Sequence, residues 1–313
     1  MGVPLILVDA FTDRPFGGNP AAVCLLDTEQ GEPGAGWMRS VASELDFPAT
    51  AFVRRVAPGT VDADYSLRWF TSTGELELCG HGTLAAAHAL YAEGRVPAGS
   101  SASFWTRSGR LTARRLDAAE GAGGVLAGAG DRAGATGSRK GGDWIELDFP
   151  VEAAAPVDQP PLELLPALGL GSASSRAAET AVVFVGRNRL DYLVELETAE
   201  SVQALAPDLG RLREVQTRGV IVTAAVGRSE RELYGGAHFV SRFFAPRTGI
   251  DEDPVTGSAH CCLGPYWAAA LGRERLLGRQ LSQRGGTIGV TVRNDRVGLA
   301  GQAVTVLRGT LTA

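Results

Sequence analysis

The stretch Arg68-Trp69-Phe70-Thr71-Ser72-Thr73-Gly74 runs on to Gly82-Thr83, and the chain repeats this pattern about half a chain later. The second copy is Arg242-Phe243-Phe244-Ala245-Pro246-Arg247-Thr248-Gly249, which runs on to Gly257-Ser258 with one extra residue before its Thr-Gly. In both copies a strand-like run and a Thr-Gly turn precede a Gly-Thr or Gly-Ser step that opens an apolar, Ala-rich helix. We therefore predict an internal duplication that gives two similar domains, each aiming a helix N-terminus at a shared cleft.

Length and strand pattern agree with two domains. A chain of 313 residues can bury two separate cores. Working outward from the two copies, the pattern is sheet, central helix and sheet again, twice over, which predicts an α+β fold. We place the N-terminal domain at 1–150 and the C-terminal domain at 151–302, with the C-terminal strand 303–313 able to return to the first domain.

The helices that follow the repeated stretch are predicted over 83–93 and 258–271. A segment from Asp117 to Gly142 is rich in Gly, Ala, Asp, Ser and Arg and has too few large apolar side chains to pack. We predict that it is an exposed loop.

Composition limits the partners. The formal net charge is −5, with 21% charged and 44% hydrophobic residues, so no basic face for nucleic acid or an anionic membrane is expected. A small organic acid is a better candidate. The N-terminus resembles a first strand rather than a signal peptide, and no apolar run reaches the roughly 20 residues that span a bilayer. We expect a cytoplasmic protein.

The four cysteines are Cys24, Cys79, Cys261 and Cys262. Their spacing fits neither a zinc site nor a disulfide scaffold, so reduced thiols are expected. The adjacent pair at 261 and 262 lies in an apolar helix pattern and is interpreted as buried packing. The four histidines form no paired ligand motif, and no metal is expected.

The first candidate site is Cys79-Gly80-His81-Gly82-Thr83, directly before a helix. Glycines allow a tight turn, and amides at a helix start bind carboxylates with help from the helix dipole. A histidine there could transfer a proton at neutral pH. The alternative is that Gly82-Thr83 only caps the helix and His81 is a packed polar residue.

The second candidate site is Asp251-Glu252-Asp253-Pro254-Val255-Thr256-Gly257-Ser258. Asp251 and Glu252 are explained by a favourable interaction with the helix dipole, worth about 0.3–1 kcal/mol. Asp253 is expected across from His81. Two opposed proton-transfer groups are what an isomerase or epimerase needs, because one removes a proton from carbon and the other returns a proton.

These sites belong to a longer series of motifs in the same order as in a known family. The motifs are Asp9-Ala10-Phe11-Thr12, Gly18-Asn19-Pro20-Ala21-Ala22-Val23, Arg68-Trp69-Phe70-Thr71, Cys79-Gly80-His81-Gly82-Thr83 and Glu252-Asp253-Pro254-Val255-Thr256-Gly257-Ser258-Ala259. With them the chain resembles the phenazine-biosynthesis PhzF family, from the first strand to Gly309-Thr310-Leu311.

The resemblance implies the diaminopimelate epimerase fold, with two pseudo-symmetric α/β domains that each wrap a sheet around a central helix. It also implies a homodimer without cofactor or metal that isomerises a small unsaturated carboxylic acid by shifting a proton. His81, Asp253 and Ser258 fall on active-site positions of the family. The amides of Gly82, Thr83, Gly257 and Ser258 would hold the substrate carboxylate. Asn19 is a further expected substrate contact.

One departure from the family pattern bears on mechanism. The family usually carries Ser-Glu-Thr-x-Phe after its first helix, with Glu as the base, whereas this chain has Pro48-Ala49-Thr50-Ala51-Phe52. Ala49 cannot transfer a proton. Replacement bases are Glu44, Asp46 and Cys79. Glu44 is also acidic in relatives that keep the catalytic Glu, and Asp46 is expected to face solvent.

Cys79 is the better replacement on chemical grounds. Cys-Gly-His-Gly-Thr also resembles the half-site of proline racemases and hydroxyproline epimerases, and a thiol at a helix N-terminus can have a lowered pKa. The second racemase cysteine is absent, since Asp253-Pro254-Val255 stands in its place.

The sequence therefore predicts a cofactor-independent isomerase that acts on a small unsaturated carboxylic or cyclic amino acid in a biosynthetic pathway, with Asp253 and His81 moving protons. Two alternatives stay open. One is a Cys79-dependent epimerase or dehydratase of proline-like amino acids. The other is a non-catalytic binding protein on the same fold.

Overall fold

The computed structural model describes residues 2–26, 31–57, 59–97, 99–117, 120, 143–170 and 182–312. The loop predicted between Asp117 and Gly142 lies outside these residues, apart from 117 and 120. The described residues form two compact units. The first unit comprises those up to 120 together with 143–149 and 298–312, and the second comprises 150–170 and 182–297.

The described elements are given in chain order. They are β1 (Val3–Ala10), β2 (Asn19–Leu26), α1 (Ala35–Leu45), β3 (Thr50–Arg55), β4 (Tyr65–Phe70), β5 (Glu75–Leu76), α2 (Gly80–Ala92), β6 (Ala102–Thr106), β7 (Gly109–Arg115), β8 (Ile145–Pro150), β9 (Ala155–Pro156), α3 (Leu164–Ala167), β10 (Val182–Arg187), β11 (Asp191–Leu196), α4 (Ala199–Ala204), α5 (Leu209–Glu214), β12 (Gly219–Ala225), β13 (Phe239–Phe244), α6 (Gly257–Leu271), β14 (Arg275–Gln280), β15 (Gly286–Arg293), β16 (Arg296–Gly301) and β17 (Ala303–Leu311).

The two units share one strand topology. In the first, β1 pairs antiparallel with β17 and β2, β2 is parallel to β3, β3 is antiparallel to β4, and β4 is parallel to β6. In the second, β10 pairs antiparallel with β9 and β11, β11 is parallel to β12, β12 is antiparallel to β13, and β13 is parallel to β14. The predicted α+β repeat is confirmed strand by strand.

The repeated stretch makes the same contacts in both units. Arg68 donates to both carboxylate oxygens of Glu75, each at 2.8 Å, and its guanidinium lies 5.1 Å from the Phe70 ring centroid. Arg242 donates to Glu252 at 2.7 and 2.9 Å and lies 4.8 Å from the Phe244 ring centroid. Each arginine therefore ties its strand to the loop that leads into the following helix.

Each unit has one nearly all-apolar helix against its sheet. Every residue of α2 from Gly80 to Tyr91 is buried except His88, because the helix packs on β1, β2, β3 and β17. A helix that is apolar all round has to be enclosed by other elements. α1 packs against β3 and β4, through a cluster that includes Met38, Phe52 and Phe70.

The predicted start of one helix and the predicted set of strands need correction. α2 begins at Gly80, three residues earlier than predicted, because Cys79 is extended and its carbonyl oxygen accepts the first helical hydrogen bond, from the Thr83 amide. β14 was not predicted, since charged residues interrupt its apolar pattern. Within the described ranges, no helix is both long and apolar enough to cross a membrane.

Candidate active site

The first half-site lies at the N-terminus of α2. Cys79 is the residue before the helix, with φ −145° and ψ 98°, and His81 is the second helical residue. Both side chains are buried, at 5% and 7% exposure. The Cys79 Sγ lies 3.6 Å from Nδ1 and 3.8 Å from Nε2 of His81, so the fold brings the two candidate proton carriers of this unit into contact.

Gly82 has a packing reason to be glycine. A Cβ at this position would lie 2.7 Å from Cδ1 of Trp69 and 2.9 Å from the Cys79 Sγ. The indole of Trp69 is buried, and its N–H has no hydrogen-bond partner among the described residues. The strand residue Trp69 and the first turn of α2 therefore approach each other at a point where no side chain fits between them.

The Thr83 backbone amide is a poor candidate for the predicted role of binding the substrate carboxylate. Its amide donates to the Cys79 carbonyl oxygen at 3.0 Å, and its hydroxyl donates to the same oxygen at 2.7 Å. Because the helix begins at Gly80, the backbone amides that precede the helical hydrogen-bond ladder are those of residues 80–82. The helix-start amide expected at Thr83 is therefore used inside the helix, whereas that of Gly82 remains at the helix start.

Ala49 is fully buried, one residue before β3, and its carbonyl oxygen accepts a hydrogen bond from the Ala22 amide at 3.1 Å. The two carboxylates closest to it in sequence, Glu44 and Asp46, are both exposed. Asp46 faces solvent, as the sequence predicted. Asn19 is the first residue of β2, is fully buried, and lies opposite Ala10 on β1.

The second half-site precedes α6 and centres on Asp253. The Asp253 side chain is buried, at 7% exposure, whereas Asp251 is exposed. Its Oδ2 accepts a hydrogen bond from the Thr256 hydroxyl at 2.5 Å. Because the donor lies three residues ahead in the same loop, the carboxylate is held in one orientation just before the helix.

Gln280 of β14 clamps this loop. Its amide nitrogen donates to the Asp253 carbonyl oxygen at 2.7 Å and to the Thr256 hydroxyl at 3.2 Å, and its side-chain oxygen accepts from the Thr256 amide at 2.9 Å. The side chain is fully buried. One amide thus makes hydrogen bonds to three polar groups of this loop.

Gly257 and Ser258 are the first two residues of α6, where helix amides and the dipole favour an anion. The Ser258 hydroxyl oxygen accepts a hydrogen bond from Nη2 of Arg218 at 3.0 Å. The same guanidinium pairs with both oxygens of Asp191, through Nε to Oδ1 at 2.8 Å and through Nη2 to Oδ2. Neither Arg218 nor Asp191 was singled out from the sequence.

Three other titratable groups on α6 are structural. His260 is fully buried, and burial lowers its pKa to about 4, so it is neutral near pH 7. Burial also raises the pKa of the Cys262 thiol to about 12 and that of Cys261 further. The expected buried packing of the cysteine pair agrees with these positions. Among the residues that the structure describes, no cluster of three or more His, Cys, Asp or Glu side chains could hold a metal ion.

The half-sites lie in different units: Cys79, His81 and Gly82 in the first, and Asp253, Gly257 and Ser258 in the second. The sequence located both half-sites, although it placed the start of α2 three residues too late, because the glycines and reactive side chains are contiguous there. It missed Gln280 and Arg218 because each reaches its half-site from another strand or strand end. Their signal in the sequence was weak, because Gln280 is a polar residue at the end of a strand and Arg218 is a charged residue directly before one.

Comparison with known proteins connects this geometry to a family. The family model described as phenazine biosynthesis-like protein matches residues 8–309. An uncharacterized isomerase of Halalkalibacterium halodurans is 42% identical over 311 residues, which are 99% of each chain. The human phenazine biosynthesis-like domain-containing protein is 35% identical over 322 residues, covering both chains completely.

Solved structures agree. A crystal structure of a PhzF-family phenazine biosynthesis protein from Enterococcus faecalis matches with a TM-score of 0.77 at 31% identity, covering all of both chains. A hydroxyproline epimerase from Agrobacterium vitis matches with a TM-score of 0.58 at 11% identity, over 99% of this chain and 92% of the epimerase. The second likeness concerns the fold alone.

Proposed function

The chain belongs to the family of phenazine biosynthesis-like proteins, and from that premise we propose that it is an isomerase that shifts a proton on a small carboxylate. The substrate class is an unsaturated carboxylic acid or a cyclic amino acid of a biosynthetic pathway. The reaction uses side chains of the protein as acid and base and needs neither a cofactor nor a metal. Relatives named as isomerases at 42% and 39% identity support the class of reaction.

The observation that carries the proposal is the Asp253 carboxylate. It is buried, oriented by Thr256 and fixed by the Gln280 clamp directly before a helix N-terminus. A surface carboxylate that only favoured the helix dipole would need neither burial nor a clamp, as exposed Asp251 illustrates. Orientation matters for proton transfer, because donor and acceptor must reach hydrogen-bond distance along a defined direction.

In the proposed reaction Asp253 and His81 are the two proton carriers. One removes a proton from an sp³ carbon next to the double bond or the carboxylate. The electron pair left behind moves into the neighbouring π-system, and a proton returned to another carbon, or to the other face, completes the isomerisation. The Ser258 hydroxyl and the amides of Gly82, Gly257 and Ser258 bind the carboxylate, and Asn19 is a further substrate contact.

Because Ala49 stands where the family usually has its glutamate, the proposal gives proton transfer to other groups. A buried methyl group cannot carry a proton, and exposed Glu44 and Asp46 are poor substitutes. The proposed substrate therefore differs from the dihydro-aromatic acid of phenazine formation, since the proton to be moved must lie within reach of the remaining carriers.

The contact between Cys79 and His81 supports a second candidate. A thiol 3.6 Å from an imidazole nitrogen can pass its proton to the ring and act as a thiolate base. This arrangement suits a Cys79-dependent epimerase or dehydratase of proline-like amino acids. A homodimer and a cytoplasmic location remain predictions of the sequence.

Proton NMR in deuterated water tests the proposal. The panel consists of dihydro-hydroxyanthranilate, unsaturated proline derivatives, hydroxyprolines and diaminopimelate. We expect one acid to gain deuterium at carbon and to identify the substrate class. Binding of an acid without exchange at any carbon of any panel member would refute the isomerase and favour a non-catalytic binding protein.

A further inference from the structure

Arg218 is a cation in contact with a proposed substrate-binding side chain of the second half-site, Ser258. Its side chain is 30% exposed, whereas the Asp191 side chain that pairs with it is completely buried. The guanidinium also lies 5.6 Å from the ring centroid of Phe243. A two-point ion pair and an aromatic face hold the planar group in one orientation, and part of it still reaches solvent.

That orientation determines how Ser258 can act. The Ser258 oxygen accepts from Arg218, so the hydroxyl hydrogen is left to be donated. A hydroxyl in the first turn of a helix otherwise turns readily between donor and acceptor roles. Paired with an arginine, which only donates, it is set as a donor toward an acceptor on the ligand.

The internal repeat shows that the pair of Arg218 and Asp191 in the second unit has no charged counterpart at the equivalent positions of the first unit. Thr50 lies opposite Phe70 and Val220 lies opposite Phe244 in equivalent strand pairs, so Pro48 is the counterpart of Arg218. By the same register, Ala22 lies opposite Thr50 and Tyr192 opposite Val220. Ala21 is therefore the counterpart of Asp191.

The second residues of the two helices differ accordingly. Counted from Gly80 in α2 and Gly257 in α6, the counterpart of Ser258 is His81, whose imidazole contacts the Cys79 thiol. Ser258 instead accepts a hydrogen bond from an arginine at 3.0 Å. The first half-site thus has a proposed proton carrier at the position where the second has a hydroxyl next to a cation. The second half-site is therefore the one better suited to hold an anion.

We propose that Arg218, fixed by Asp191, is a positioning residue that orients the Ser258 hydroxyl and makes the second half-site select a carboxylate over a neutral group. The inference rests on the proposed function for the identity of the site. It concerns selection of the ligand, which is measured by binding and does not require turnover.

The test measures binding of anthranilate, L-proline and their neutral amides, anthranilamide and L-prolinamide, by ligand-observed NMR and calorimetry. The main variant is Arg218→Gln with Asp191→Asn, because removing Arg218 alone leaves a buried carboxylate unpaired and risks unfolding. Arg211→Gln is the control, since Arg211 is an arginine of the same unit whose side chain is 62% exposed and pairs with exposed Asp208. Thermal unfolding verifies that all variants are folded.

We expect the wild-type protein to bind at least one acid about tenfold or more tightly than its amide, and the double variant to lose that preference while amide affinity stays within about twofold. Arg211→Gln should keep the preference. In a Ser258→Ala background the double substitution should change acid affinity by less than about twofold, because Arg218 acts through the hydroxyl. A purely structural role would instead weaken acid and amide equally.

Three results would overturn the inference. These are an acid preference that survives the double substitution, an undiminished effect of that substitution in Ser258→Ala, and no binding of either acid by the wild type at about 10 mM. Deuterium exchange distinguishes failure of the proposed function. Lost exchange with an intact Arg218-dependent preference refutes only the isomerase, whereas intact exchange with unchanged KM in the double variant refutes only the role of Arg218.

Discussion

At the scale of single residues, the central question is which side chains carry protons in the proposed reaction, since Ala49 stands where the resemblance to the family places a glutamate. The structure offers a buried carboxylate in the second unit and a buried thiol–imidazole pair in the first. Asp253 is held by hydrogen bonds with Thr256 and Gln280, whereas Cys79 and His81 contact each other. We therefore assign the proton carriers to Asp253 and His81 and keep Cys79 as the alternative.

Cys79→Ser and His81→Asn separate these assignments. With His81 as a carrier, His81→Asn should lower the exchange rate by about 10²- to 10⁴-fold, while Cys79→Ser, which keeps a group of similar shape, should cost less than about tenfold. The measurement is the initial rate of deuterium incorporation for both variants. The opposite order would support the Cys79-dependent epimerase or dehydratase and remove His81 from the reaction.

At the scale of elements, two helix starts are held by contacts that come from neighbouring strands. Trp69 closes on the first turn of α2, and Gln280 reaches from β14 to the loop before α6. Local sequence motifs mark the neighbourhood of each helix start: the Gly-Ser step begins α6, whereas the Gly-Thr step lies inside the first turn of α2. The supporting strand residues depend on strand pairing and cannot be recognised from local spacing.

Gly82→Ala tests the contact at α2. The added Cβ would meet Trp69 and the Cys79 Sγ at less than 3 Å, so we expect a loss of about 1–3 kcal/mol in the free energy of unfolding. Gly36→Ala in α1 is the matched control, because nothing lies within 4 Å of its Cβ, and it should not destabilise. Urea denaturation measures both. Equal stability of the two variants would contradict the close approach of Trp69.

Gln280→Leu tests the clamp at α6. The substitution removes the Gln280 hydrogen bonds to the Thr256 amide and to the Asp253 carbonyl oxygen, and we expect a loss of at least about 2 kcal/mol in stability. Because the Asp253 carboxylate loses its fixed orientation, kcat should fall more than KM rises. Gln283→Leu, at an exposed position, is the control. A stable variant with unchanged kcat would show that the loop before α6 keeps its conformation without the Gln280 side chain.

At the scale of the whole molecule, duplication explains most of what the sequence predicted. Two copies of one stretch indicated two sheets with central helices, and the strand pairings repeat in the same order. The copies differ at the positions of the proposed anion selection: Pro48 and Ala21 stand in one unit, and Arg218 and Asp191 in the other. Sequence comparison of the copies could not reveal this divergence, because Arg218 lies outside the repeated stretch and matches Pro48 only through strand register.

Stability should fall in mild acid because fully buried His260 and partly buried His88 are uncharged in the folded protein. Burial lowers the pKa of His260 to about 4, and the pKa of His88 is lowered to about 4, chiefly by burial and also by nearby Arg115 and Arg308. In the unfolded chain histidine has a pKa of about 6.5, so the unfolded state binds protons first as the pH drops. Stability is therefore fully present above about pH 6.5 and is lost as the pH falls toward 4.

His260→Phe measures how much of this pH-dependent loss of stability comes from His260. Between about pH 7.5 and pH 5 the wild type should lose about 2 kcal/mol through His260 alone, and the variant should lose that much less. Phenylalanine can keep the packing against Phe239, whose ring centroid lies 5.8 Å from that of His260. Denaturant titrations at the two pH values give the difference. Equal losses in both proteins would mean that His260 is not the titrating group.

The most direct test of the account is solvent deuterium incorporation at carbon by wild-type protein, Asp253→Asn and Asp251→Asn, with the panel acid that exchanges fastest. Asp251 is the matched control, an exposed aspartate two residues away in the same loop. We expect exchange by the wild type, exchange within about twofold in Asp251→Asn, and a loss of about 10²- to 10⁴-fold in Asp253→Asn. Exchange that persists at the wild-type rate in folded Asp253→Asn would contradict the assignment of Asp253 as a proton carrier.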